Sequence, residues 1–455
     1  MNEQEIFERE EGLHKGLTKA QVVMIGIGGA IGTGLFMGSG IAIGYAGPAV
    51  LISYLIAALV AVAMVFSLSE MAVMHPTAGS FGTYAETYLN RWAGFVVRYT
   101  YWFCQVVAIG GEAVAAAVYM TYWFPDISIW IWAIGFAAAL VFVNSRSVGN
   151  FGSIEYWFAM IKVTAIILFI ILGLSAVFGI GQDAVGIDNL YKLDGGFMPH
   201  GWSGVWMAVI LGVLSFTGIE VIAVTSGEVP NPEVAIPTAL RSMALRLFLF
   251  YMVALTVVLA FVPWTETGAK VVEQSPFVKV FAHSGIRQAA GIMNFVVITA
   301  ALSSMNTNIY LCSRMLFSLS RGGYAPKMLG KLSKDGTPIG ATILTGICIL
   351  ISAGVSKFTP MAFNYLFGVA LFGSMSVWII ILLSHLRFRA KHPAGTLKVR
   401  MPLFPYMQYF GLAVLVALLI TMGLDTEFWN LSWIVGIPWM ILLTIAYFVW
   451  KRGNR

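Results

Sequence analysis

Gly26-Ile-Gly-Gly-Ala-Ile-Gly-Thr-Gly34 sets five glycines in nine residues inside an apolar run that otherwise has the length of a membrane span. Glycine weakens a helix by roughly 1 kcal/mol relative to alanine, so five together predict an unwound segment partway along the run. Backbone N–H and C=O groups cannot be left bare in hydrocarbon. An unwound segment at that depth must be buried in protein or line a wet cavity. Open amides at the start of the second half-helix, with the positive end of its dipole, make a place for an anion such as a carboxylate. The other reading of these glycines is a small-residue face for close helix packing. They fall on several faces rather than one stripe, however, and Thr33 adds a hydroxyl among them.

Farther along, Leu211-Gly-Val-Leu-Ser-Phe-Thr-Gly-Ile-Glu220 interrupts another apolar run, followed by Gly227, Glu228 and Pro230. Alone it reads as a kink. It lies five spans after the first, and interrupted segments in matching positions of two halves point to an inverted-repeat transporter with a site at the membrane midplane.

The whole composition fits a bilayer. Of 455 residues, 59% are hydrophobic and 11% charged, and the mean hydropathy is +0.83. Soluble domains carry about a quarter charged residues. The apolar runs are long and continuous rather than alternating, which favours helices over a barrel. Twelve spans are expected near 19–44, 48–74, 92–124, 127–145, 155–179, 202–227, 243–262, 287–318, 339–357, 360–386, 404–423 and 432–450. The expected fold is therefore an all-α polytopic membrane protein of about 12 transmembrane helices.

Alternate loops hold Arg146, Arg321, Lys327, Lys331, Lys334 and the cluster from Arg387 to Arg400. The opposite loops hold few cations, Lys192, Lys270 and Lys357 among them, beside acids such as Asp183, Asp188, Asp194 and Glu273. The positive-inside rule then puts both termini in the cytoplasm of a cell, with the chain multi-pass in its cytoplasmic (plasma) membrane. Residues 1–18 are polar, without an apolar signal segment, and read as a cytoplasmic tail. The net charge of +6 is scattered between apolar runs, so no nucleic-acid partner is expected. Cys104, Cys312 and Cys348 all lie in apolar runs, and His residues are dispersed and loop-proximal. No metal site and no cofactor are implied, and nothing resembles an enzyme's catalytic motif.

Within the apolar runs stand Glu70, Glu112, Lys162, Glu220 and Glu228. A charge at bilayer depth costs at least about 2.5–3.5 kcal/mol, so these should face the interior. Glu70 and Glu228 sit near span ends and read as loop anchors or helix caps. Lys162 lies well inside span 5, where desolvation disfavours the ammonium and nearby carboxylates oppose that effect. It is either a proton-coupling group or a lysine snorkelling to the headgroups. Glu112 and Glu220 are either proton relays or structural hydrogen-bonding acids.

Several ordered motifs resemble a known family. They are Leu13-His-Lys-Gly-Leu17, Ile27-Gly-Gly-Ala-Ile-Gly-Thr-Gly-Leu-Phe36, Glu70-Met-x4-Pro76-x2-Gly79-Ser-Phe81-x2-Tyr84 and Glu155-x2-Phe158-x2-Ile161-Lys-Val163. Phe216-x-Gly218-x-Glu220, Glu228-x2-Asn231-Pro232, Ser313-Arg-Met-Leu316 and Ala325-Pro-Lys327 continue the series. Together they resemble the amino-acid permeases of the amino acid–polyamine–organocation superfamily, in the branch holding bacterial aromatic, lysine and γ-aminobutyrate permeases. The resemblance implies a leucine-transporter fold of 5+5 inverted repeats with two additional C-terminal helices. It divides the chain into a first repeat over 19–200, a second over 201–392, and two more spans with a short tail over 393–455.

The resemblance also implies a small-molecule partner, an amino acid, imported by proton symport through alternating access, or alternatively exchanged with Lys162 structural. The substrate carboxylate would meet Gly32, Thr33 and Gly34. The amine would meet carbonyls near Ala30 and at Leu214, Ser215, Phe216 and Thr217, with Phe216 gating or packing on the substrate side chain. Lys162 matches a lysine that occupies the place of a sodium ion in sodium-driven relatives. Departures from the family pattern, such as Lys19-Ala-Gln-Val22, Ser69, His75 and Ser226-Gly227, leave the particular amino acid unassigned, and the oligomeric state is also left open.

Overall fold

The computed structural model describes residues 3–9, 12–146, 148–181, 183–267, 276–283, 287–359, 361–393, 395, 397–425 and 429–453. Lys270, Glu273 and the backbone around them lie outside these, as do the side chains of Ala30 and Arg241. The described residues are helical, with no strand among them. In chain order the helices are α1 Glu3–Glu8, α2 Lys19–Ala30, α3 Ser39–Ala46, α4 Val50–Met74, α5 Ser80–Tyr88, α6 Arg91–Met120, α7 Ile129–Asn144, α8 Val148–Val177 and α9 Gly201–Ser215. There follow α10 Val221–Val224, α11 Pro232–Phe261, α12 Trp264–Thr267, α13 Pro276–His283, α14 Arg287–Arg321, α15 Ile339–Gly354, α16 Ala362–Lys391, α17 Tyr406–Leu424 and α18 Leu431–Gly453. Among the described residues, eight helical runs are long and apolar enough to cross a membrane, the first being the succession from Lys19 to Met74. Three shorter apolar helices accompany them, at 129–144, 201–215 and 249–261.

The helix starts are written in the local sequence. Thr18 and Gln21 form a capping box at α2, with Gln21 N donating to Thr18 Oγ1 at 3.3 Å and Thr18 N donating to Gln21 Oε1 at 2.9 Å. Asn90 caps α6 by accepting from Ala93 N. Pro232 opens α11 where its missing N–H costs nothing. Sequence and structure differ at some ends. The connection expected over 75–91 contains α5, and α8 begins at Val148, seven residues before the expected start.

The two interruptions do break their helices. After Ala30 the chain leaves α geometry at Ile31, then winds as a π-helical turn over Gly34–Gly38 before α3. After Ser215 it turns through residues 216–220, where Gly218 holds a φ of +97°. The breaks pack against each other. A Cβ on Gly218 would collide with the Gly29 carbonyl oxygen, so this position needs glycine for both its φ and its close approach. A Cβ on Gly34 would lie 2.7 Å from Ser215 Cα. Around this crossing, α2 packs on α8 and α11, α9 packs on α3 and α4, and α6 lies along α14 and α16.

Candidate functional site

A pocket opens where the two breaks meet. Gly32, Gly34, Leu214, Ser215 and Thr217 line it from the broken segments, and Glu112 of α6, Ser304 of α14 and Phe367 of α16 close it. Its cavity volume is small, about 20 Å³. The hydroxyls on the second break are already committed. Ser215 Oγ donates to Leu211 O at 2.9 Å and meets Tyr54 OH at 2.9 Å, and Thr217 Oγ1 donates to Leu214 O at 2.8 Å. Tyr251 OH donates to Ser215 O at 2.6 Å. Thr33 is fully buried and faces the Glu112 carboxyl, but its Oγ1 makes no hydrogen bond of good geometry.

Lys162 is fully buried on α8 and bridges the first break. Its Nζ donates to Gly28 O at 2.5 Å and Ile31 O at 2.9 Å, two carbonyls at the point where α2 unwinds. A helix end buried without partners would be costly, and the ammonium supplies them. Beside it, Glu155 accepts from Ser303 Oγ and, at 3.1 Å, from Asn306 Nδ2. Ser304 Oγ donates to Glu112 Oε1 at 3.1 Å. Ser303 and Ser304 thus serve the two carboxylates, whereas the lysine turns to the backbone. Glu220 caps the second break: it accepts from Gly218 N at 3.1 Å and from Tyr101 OH at 3.0 Å.

A different chemistry holds the face that carries the N-terminus. Glu228 is clamped by Arg314, with Nε to Oε1 at 2.7 Å and Nη2 to Oε2 at 3.1 Å, and it also accepts from Tyr310 OH. Glu70 meets His385 Nε2 at 2.7 Å, Arg389 Nη1 at 2.9 Å and the backbone N–H of Met401. Glu86, in the connection between spans, is held by Arg98 at 3.0 Å, Arg9 and Tyr324 OH. Burial alone would raise its carboxyl, but the two guanidiniums outweigh that and hold it down at about 2. Phe7 of α1 stacks on His75 at 4.4 Å, which ties the N-terminal segment onto this face.

Of the residues singled out in the sequence, Gly32, Gly34, Leu214, Ser215, Thr217 and Glu112 lie together at the pocket. Lys162 lies behind it at the first break, and Glu220 inside the second. Ala30 ends α2. Phe216 is not among the residues lining the pocket and packs in an aromatic cluster, 4.6 Å from Tyr251 and 6.3 Å from Tyr54 between ring centroids. Glu70 anchors the loop at Met401, as its position near a span end suggested. Glu155, Arg98 and Arg314 are buried charges that the sequence alone does not single out, although all three sit inside helices with apolar faces. Seven residues separate Glu155 from Lys162, and that same-face spacing was the available signal. His385 is buried within α16 rather than loop-proximal.

A polytopic helical protein with a small polar pocket between two broken helices belongs to the class of membrane permeases that carry small solutes. Residues 21–455 match the amino acid permease family model, and the chain belongs to that family. It is 39% identical over 448 residues to the uncharacterized amino acid permease YtnA of Bacillus subtilis (strain 168), covering 97% of this chain and 96% of that one. It is 37% identical to the probable threonine/serine transporter YbxG of the same organism (97% and 96% covered). It is also 37% identical to that organism's gamma-aminobutyric acid permease (98% and 95% covered). These relatives are permeases, not enzymes, and the protein is an amino acid permease embedded in a membrane by multiple helices.

Proposed function

We propose that this permease imports an amino acid across the plasma membrane by proton symport, with Lys162 as the coupling cation and both termini in the cytoplasm. The observation that carries the reading is the Lys162 bridge, a buried ammonium bonded to Gly28 O and Ile31 O at the break beside the pocket. A titratable group in that place ties protonation to the local winding of α2, and so to the shape of the pocket wall. Loss of the proton weakens the bridge and biases the helices toward another arrangement, which is all a population shift requires.

In this reading the chain folds as twelve spans in 5+5 inverted repeats, 19–200 and 201–392, with two further spans over 393–455. The pairing of the two broken helices supports it. The substrate carboxylate lies against the amides of Gly32, Thr33 and Gly34, and the amine against carbonyls near Ala30 and from Leu214 to Thr217. Its side chain points toward Leu214 and Phe367, with Glu112 and Ser304 at the polar edge. Glu112 and Glu220 keep a secondary part in proton movement. Threonine, serine and γ-aminobutyrate are the first compounds to test, from the names of two relatives.

The test is uptake in proteoliposomes under an imposed inward proton gradient. Accumulation that collapses with a protonophore, and that N-acetyl and amide derivatives of the substrate fail to inhibit, is the expected result. Uptake that ignores the gradient and needs internal amino acid would mark an exchanger instead.

A further inference from the structure

Glu155 is fully buried on α8, seven residues before Lys162. At 3.6 residues per turn both stand on one helical face, about 10 Å apart along the axis. Because α8 begins at Val148 on the N-terminal side, Glu155 lies between Lys162 and the face that carries the N-terminus. Both groups address the same residue of α2. Lys162 donates to Gly28 O, and Glu155 Oε1 lies where a Cβ on Gly28 would be 2.5 Å away.

Two features set Glu155 apart from the clamped acids of the N-terminal face. Its hydrogen-bond donors are neutral, Ser303 Oγ and Asn306 Nδ2, and Asn306 is itself held by Asn144 at 2.8 Å. No guanidinium pairs with it among the described residues. Its charged neighbour is Lys162, with which it interacts electrostatically, and Lys162 in turn senses Glu112 on the pocket side. The lysine thus stands between a carboxylate at the pocket and a carboxylate toward the N-terminal face. Beyond Glu155 the seam is shut by Phe151 stacked on Tyr310, with centroids 4.3 Å apart, and by the Glu228–Arg314 clamp.

We infer that Glu155 is the proton acceptor for Lys162 on the route to the N-terminal face, releasing the proton to water when the Phe151–Tyr310 stack parts. One N–H bond of the ammonium breaks as an O–H bond forms on Glu155, leaving a neutral amine and a neutral carboxyl. The lysine reaches the acid by leaving Gly28 O, or through one bridging water. The transfer removes two buried charges at once, which lowers the desolvation cost while the helices rearrange. Release to water restores the carboxylate, and the lysine is recharged from the opposite side. The inference rests on Lys162 being the coupling cation.

Glu155→Gln keeps the acceptor for Ser303 but cannot take the proton. The probe is a radiolabelled mixture of the protein L-amino acids, in vesicles holding wild type, Glu155→Gln or Glu155→Asp. Two readings are compared: accumulation driven by a pH gradient, and exchange against internal amino acids without one. The relay requires a loss of accumulation of about tenfold or more in Glu155→Gln with exchange near the wild-type level. Glu155→Asp, which retains a carboxyl, should recover part of the accumulation. Wild-type vesicles that ignore the gradient overturn the symport reading and the relay with it. A responsive wild type with an equally responsive Glu155→Gln overturns the relay alone, as does a variant that loses both activities in proportion. If Glu155→Gln does not fold, Glu155→Asp decides: accumulation falling more than exchange supports the relay, and equal falls overturn it.

Discussion

The crossing of the two broken helices and the N-terminal face both bury acids, but they satisfy them in opposite ways. At the face, Glu70, Glu86 and Glu228 are each gripped by at least one arginine. Around the crossing, Glu112, Glu155 and Glu220 are held by hydroxyls, amides and the protein backbone, and Lys162 is bonded to carbonyl oxygens. Arginine stays charged in proteins, so a carboxylate paired with it has every reason to stay ionised. An acid or amine held by neutral dipoles can change its protonation without orphaning a permanent charge. The face is built as a set of latches, and the crossing of the broken helices as the region where the proposed proton coupling is placed.

The largest expected effect breaks one latch. Arg314→Met leaves Glu228 buried beside Tyr310 without its counter-charge, a loss of about 3–5 kcal/mol. Lys162→Met removes a cation hydrogen-bonded to carbonyls, and because Gly28 O still accepts from Ile31 N at 3.2 Å, the cost is that of leaving Ile31 O without its donor, about 1–3 kcal/mol. Thermal unfolding of the two purified variants should rank them in that order. A Lys162→Met protein as unstable as Arg314→Met would erase the distinction between the regions.

A smaller effect sharpens the same contrast through pH. Glu86 is held near 2, below its ordinary 4.5, so its contribution to stability is present above that ordinary range and is lost as pH falls toward 2. The difference in unfolding temperature between wild type and Glu86→Gln should therefore be constant at neutral and mildly acidic pH. It should shrink only below about 4.5. A difference that shrinks well above that range would mean that Glu86 is not held by Arg98 and Arg9.

The sequence made the broken helices legible because glycine acts locally: five glycines in nine residues disfavour a helix whatever surrounds them. The second break was legible at Gly218, whereas Gly212 stays inside α9. Lys162 stood out because a charge inside an apolar run is costly and has to face the interior or snorkel to the headgroups. Its partners did not, because Gly28 O and Ile31 O become available only when α2 unwinds and α8 crosses it. Glu155 was hidden near the expected start of its span, and its burial comes from α8 extending back to Val148 and packing on α14. Arg98 and Arg314 are likewise explained by acids distant in sequence, Glu86 twelve residues away and Glu228 eighty-six away. Phe216, which the resemblance has gating or packing on the substrate side chain, stands in an aromatic cluster with Tyr54 and Tyr251 that no local sequence pattern shows.

The most direct test of the account compares wild type with Lys162→Ala in proteoliposomes of matched protein content, measuring both substrate accumulation under an imposed inward pH gradient and gradient-free exchange. The variant should lose accumulation while retaining measurable exchange, because the pocket residues Gly32, Gly34, Leu214, Ser215 and Thr217 are untouched. Lys162→Ala vesicles that concentrate substrate in response to the pH gradient as well as wild type would contradict it, leaving the lysine as a structural clasp on the first break.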